Sequence, residues 1–192
     1  MDTLLDYLPV ILAGLSSLIL FLNQKWRWNI LAIAVIYVSV FWMVLQVWSP
    51  GLAVVKLIAG WMAGAILGSA MKEDTVSLAE ENKVEQRFKL VIVMIMWIFS
   101  FSIMQRLSTK LPIPEALIWG GVLLIIMGIL QISMSLQPIR IIFGLLVAFS
   151  GFEVLYAGVE QSLLVAGFLV IITLGIALIG VLFIQQEEGE IV

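Results

Sequence analysis

Apolar residues run in long blocks along this chain, and polar residues collect in short clusters between them. A bilayer core takes about 20 apolar residues as helix. Against that length the blocks predict seven spans, at about 4–23, 29–48, 52–71, 88–107, 115–135, 138–158 and 161–185. No period-two alternation runs through them, and a membrane barrel would need it. The expected fold class is an all-α polytopic transmembrane helix bundle. Its divisions are 1–71, a three-helix membrane unit; 72–114, a cytoplasmic helical segment plus the fourth transmembrane helix; and 115–192, a second three-helix unit.

Composition strengthens this picture. The 192 residues are 62% hydrophobic and 12% charged, against about 25% charged in a soluble domain. The lipid bilayer is therefore the expected main solvent. Cysteine and histidine are both absent. That excludes disulfides, zinc sites built on those ligands, iron–sulfur clusters and histidine-based triads; no metal and no cofactor is expected. A net charge of −3 argues against a nucleic-acid partner.

Charge also sets the expected orientation. Lys25, Arg27, Lys72, Lys83, Arg87, Lys89 and Arg140 fall on one side of the spans, Arg106 and Lys110 on the other. The positive-inside rule then places the N-terminus outside the cell membrane and the C-terminus in the cytoplasm. The N-terminal flank of the first span is acidic (Asp2, Asp6) and basic residues follow the span (Lys25, Arg27), the reverse of a secretory signal. Trp26 and Trp28 fit the inner interface, Trp48 and Trp119 the outer one.

The largest polar stretch is 72–89. Ser77 and Glu80 have capping-box spacing, and Glu85 and Lys89 form an i, i+4 pair. A cytoplasmic helix running straight into the fourth span is expected, either as a solvated linker or as a docking element. In the third span, Gly60, Gly64 and Gly68 recur every fourth residue. Such a seam lets helix backbones approach closely in lipid, within one bundle or against another subunit. Gly144, Ala148 and Gly151 give a looser small face on the sixth span.

Two charges stand away from the span ends, inside otherwise uncharged stretches: Lys56 and Glu153. A charge at the centre of a span costs about 2.5–3.5 kcal/mol on insertion scales. Lys56 lies five residues into its span, so it either snorkels outward on its long stem or faces the interior. Glu153 is too short to snorkel, so it is neutral or paired. One reading is a protonated Glu153 bonded to a neighbouring helix. The other is an interaction between Lys56 and Glu153, suggested by matched depth and opposite sign. Tyr156 and Glu160 follow Glu153 on the helix and would extend a polar stripe outward. The remaining polar residues of the spans, Tyr37, Ser39, Gln46, Ser100, Ser102, Gln131 and Thr173, can each be satisfied by backbone carbonyls or neighbouring helices.

Spans one to three and five to seven share one plan and one orientation, which makes a parallel repeat a natural reading. Within the second unit, Trp119-Gly-Gly-Val-Leu-Leu-Ile-Ile-Met-Gly-Ile-Leu, a short loop with Arg140, and Gly151-Phe-Glu-Val-Leu-Tyr-Ala-Gly158 resemble the small three-helix chain-K-type subunit of respiratory complex I. The longer chain resembles the E-type membrane subunit of hydrogenase-4, with the C-type subunit of multisubunit sodium/proton antiporters as a shorter relative. This resemblance implies a non-catalytic membrane subunit of a complex-I-like, proton- or sodium-translocating assembly. Antiporter-like membrane subunits would be its partners, and Glu153 would match the family's middle-helix acid. The families also carry an acid in the last helix, where this chain has only Thr173.

Two other functions stay open: a structural or assembly membrane protein with no ion path, and a small stand-alone transporter. An enzyme is not expected, because one buried carboxylate and one buried amine supply neither a nucleophile with its base nor a metal site.

Overall fold

The computed structural model describes residues 2–23, 25–71 and 83–190, leaving aside the side chains of 2–4, 83–84 and 187–190. Among the described residues there are seven helices and no strands: α1 Asp2–Leu22, α2 Trp26–Val44, α3 Pro50–Ala70, α4 Lys83–Ser108, α5 Glu115–Ser133, α6 Pro138–Val159 and α7 Leu163–Glu190. Each is long and apolar enough to cross a membrane. The chain is a multi-pass helical membrane protein.

Helix ends follow local chemistry. Pro50 and Pro138 open α3 and α6, where the missing N–H has no intrahelical partner to lose. The second helix stops earlier than hydropathy predicts. After Val44 the amides of Gln46 and Val47 bond three residues back, to Met43 and Val44. That tightened turn bends the chain toward Pro50. The fourth helix is continuous from Lys83 through the span, with Lys89 Nζ 3.2 Å from Glu85 Oε1. The Ser77–Glu80 capping box lies outside the described residues.

Packing joins counterpart helices of the two three-helix groups. Besides sequential pairs, α1 packs on α5, α2 on α6 and α3 on α7, while α4 rests against α5 and touches α1. The buried core runs through α2, α5 and α6. Large apolar side chains on α4 and α7, such as Ile98, Phe99, Ile171 and Leu182, face outward. In lipid that surface needs no cover.

Two glycine seams set helix separations. A methyl group at Gly60 would overlap the Tyr37 ring, one at Gly68 would lie 2.8 Å from Ile30 Cδ1, and one at Gly64 would meet Ile33 Cγ2 at 3.8 Å. The third-span seam therefore packs against α2 within the bundle. The second seam locks α5 to α6. A methyl at Gly121 would sit 2.9 Å from the Gly151 carbonyl oxygen, and one at Gly144 2.8 Å from that of Gly128. Only glycine permits backbones this close.

Most polar groups in the spans are satisfied locally. The hydroxyls of Ser16, Ser39, Ser100 and Ser150 donate to carbonyls three or four residues earlier, which removes their cost in lipid. Gln131 donates to the Arg140 carbonyl, and Arg140 Nη2 donates to the carbonyl of Asn23 just past α1. A cation there also suits the negative end of the helix dipole.

Two tryptophans of the expected outer belt are hydrogen-bonded to the bundle. Trp48 is 4% exposed, and its indole N–H donates to the Ala157 carbonyl at 3.0 Å. Trp119 is half-buried and donates to Ser100 Oγ at 3.2 Å. Each indole finds both apolar contact and a partner for its N–H. Trp28 remains exposed, as an interfacial residue would be.

Candidate functional site

The four helices α2, α3, α6 and α7 meet around one polar centre. Lys56 enters it from the seventh position of α3, and Glu153 from six residues before the end of α6. At about 1.5 Å per residue, both lie roughly 9 Å in from the same end of the bundle. Lys56 Nζ is 2.6 Å from Glu153 Oε1, and the two side chains are 2% and 1% exposed. Lys56 thus does not snorkel. Burial forces this pairing, since an isolated charge in lipid or protein interior costs far more than a compensated one.

Two further hydroxyls reach the centre. Thr173, on α7, has Oγ1 3.4 Å from Glu153 Oε1 and 3.1 Å from the Leu169 carbonyl oxygen. Its single proton serves one of these at a time. Tyr37, on α2, is buried with its hydroxyl close to Thr173 and Glu153. The glycine at position 60 makes room for its ring.

Each three-helix group thus supplies its second and third helices: Tyr37 and Lys56 from the first, Glu153 and Thr173 from the second. The nearby turns are stitched together as well. Trp48 donates to Ala157, and Gln161 Nε2 donates to the Val47 carbonyl at 2.8 Å. These bonds close the bundle above the pair.

Tyr156 and Glu160 do not join the centre. The Tyr156 ring lies tilted against Phe152 at 6.1 Å, and Phe152 stacks on Phe149 at 6.0 Å. The spacing i, i+3, i+7 makes an aromatic ridge on the flank of α6, and Phe152 is exposed. Glu160 is exposed at the C-cap of the helix. The backbone amide of Glu160 donates to the Tyr156 carbonyl at 3.0 Å, but among the described residues no side-chain hydrogen bond links Glu153, Tyr156 and Glu160.

Sequence reasoning grouped Tyr37 and Thr173 with the routinely satisfied polar residues. Both line the polar centre beside Lys56 and Glu153. The available signal was depth: both lie in spans that could place them level with Lys56 and Glu153.

Chemically, the centre is a proton donor and a proton acceptor in direct contact, with two hydroxyls beside them. Moving one proton across the Lys56–Glu153 hydrogen bond converts an ion pair into a neutral pair. Among the described residues no three Asp, Glu, His or Cys side chains converge to hold a metal ion. Comparison with family models, curated proteins and solved structures found no match to this chain.

Proposed function

We propose that this protein is a non-catalytic membrane subunit of a complex-I-like assembly, such as a membrane-bound hydrogenase or multisubunit antiporter, where it helps to form or support a proton or sodium path. The observation that carries this reading is the buried Lys56–Glu153 contact, with the hydroxyls of Tyr37 and Thr173 beside it. An acid and a base kept in lipid at this cost suit a site that exchanges charge. The resemblance of 119–158 to chain-K-type subunits supports the same reading, with Glu153 in the role of the middle-helix acid. Tyr156 and Glu160 mark the side toward which protons would leave, through water. In this reading the N-terminus faces outside and the C-terminus the cytoplasm.

Purification from native membranes in mild detergent, followed by mass spectrometry, tests it. Antiporter-like membrane subunits should co-purify in stoichiometric amounts. A chain that purifies alone and carries ions by itself in liposomes would instead favour the stand-alone transporter.

A second reading treats the pair as a structural latch. Lys56 and Glu153 join α3 to α6 across the two helix groups, and α7 offers Thr173 but no acid near the centre. On that reading a charge-free core would fold and function as well as the native one.

A further inference from the structure

A second polar feature lies away from the Lys56–Glu153 centre. Where the starts of α1 and α5 meet the end of α4, a cleft of about 460 Å³ opens to the surface. Pockets that hold small ligands begin at about 300 Å³. Its walls are aromatic. The Trp119 ring lies 6.0 Å from Tyr7 and 5.6 Å from Phe101, the latter edge-on. The bond from its indole N–H to Ser100 holds this ring in place.

One acid faces the same space. Glu115 accepts a hydrogen bond from the Tyr7 hydroxyl on Oε2, at 3.3 Å, which leaves Oε1 available. Among the described residues no lysine or arginine forms a salt bridge with Glu115. Ser108, also on the wall, adds a hydroxyl acceptor. Aromatic rings, a carboxylate without a counter-charge and a hydroxyl acceptor together recognise an ammonium group that still has N–H bonds to donate.

The position of the cleft identifies the carrier of that ammonium. It lies at the ends of three spans, those of α1, α4 and α5, where lipid headgroups sit. Directly along α4 from the cleft, Phe101, Ile98 and Met94 are exposed at positions i, i−3 and i−7. They form an apolar track for an acyl chain. Arg106 and Lys110, exposed at the same end of α4 and in the turn after it, supply positive charge for a phosphate. We propose that this cleft binds a phospholipid whose headgroup joins a primary ammonium to a phosphate, as in phosphatidylethanolamine.

Native mass spectrometry of the full chain tests this. The delipidated protein in mild detergent is offered an equimolar mixture of phosphatidylethanolamine, phosphatidylcholine and phosphatidylglycerol. The expected result is about tenfold preference for phosphatidylethanolamine over either competitor. Glu115→Gln should abolish that preference, Glu115→Asp should retain most of it, and Glu160→Gln, at an exposed acid elsewhere, should leave it intact. Thermal melting of each variant shows that the fold is retained. Equal retention of all three lipids by the native chain, or an unchanged preference in Glu115→Gln, would overturn the proposal. Soluble glycerophosphoethanolamine competing as strongly as the lipid would also overturn it, by showing that the membrane is not the source of the ligand.

Discussion

Lys56 and Glu153 are 97 positions apart in the chain, yet their charged groups meet at 2.6 Å with almost no exposure. The contact ties the third helix to the sixth and places opposite charges where lipid and protein exclude water. Removing one partner should therefore cost more than removing both. Lys56→Met or Glu153→Leu alone leaves a buried charge uncompensated and should destabilise the fold by about 3–5 kcal/mol. The double variant should recover most of that loss. Thermal melting in detergent checks this, and strictly additive losses would mean that the contact carries no coupling energy.

Tyr37 separates stability from use. Its hydroxyl lies beside Thr173 and Glu153, so Tyr37→Phe removes a single neutral polar group from the centre and leaves the Lys56–Glu153 contact in place. Stability should change by less than about 1 kcal/mol, or rise slightly. If the hydroxyl takes part in charge movement with Glu153, ion-coupled activity should fall while the melting temperature holds. Paired melting and activity measurements on the same preparation give the answer.

The α3 seam predicts a graded response to added methyl groups. Gly60→Ala collides with the Tyr37 ring, a rigid side chain that lines the polar centre, and should cost about 1–3 kcal/mol. Gly64→Ala meets Ile33 at ordinary contact distance and should be neutral or slightly stabilising, because alanine is the better helix former. Melting curves that rank the two variants the other way would contradict this packing.

Orientation can be read directly, because the chain has no native cysteine. Leu136 in the turn between α5 and α6 is 98% exposed, and Val159 at the opposite end of α6 is also exposed. A membrane-impermeant maleimide added to intact cells should label Val159→Cys and spare Leu136→Cys. The reverse pattern would place the N-terminus in the cytoplasm.

The number of helices was legible in the sequence because lipid demands about 20 apolar residues per crossing. Lys56 and Glu153 were legible for the same reason: a charge in such a block has few places to go, and equal depth with opposite sign pointed to a pairing. Helix rotation was not legible. These helices are apolar nearly all round, so no periodic stripe marks the buried face. That is why Tyr156, three residues from Glu153, turned out to belong to the Phe149–Phe152 ridge. It is also why Tyr37 was not recognised as a neighbour of the pair. Trp48 followed the same logic, since an interfacial indole and a buried one bonded to Ala157 look alike in sequence.

The central claim is that Glu153 and Lys56 serve ion movement rather than only cohesion, and proton translocation in inverted membrane vesicles tests it most directly. The measurement is the extent of proton uptake per substrate turnover, with the assembled complex quantified in the same vesicles. Glu153→Gln and the charge-free Lys56→Met/Glu153→Leu pair should assemble but lose most of the coupling, while Glu160→Gln should lose far less. Full coupling in the charge-free pair would contradict the account and leave the contact as a structural latch.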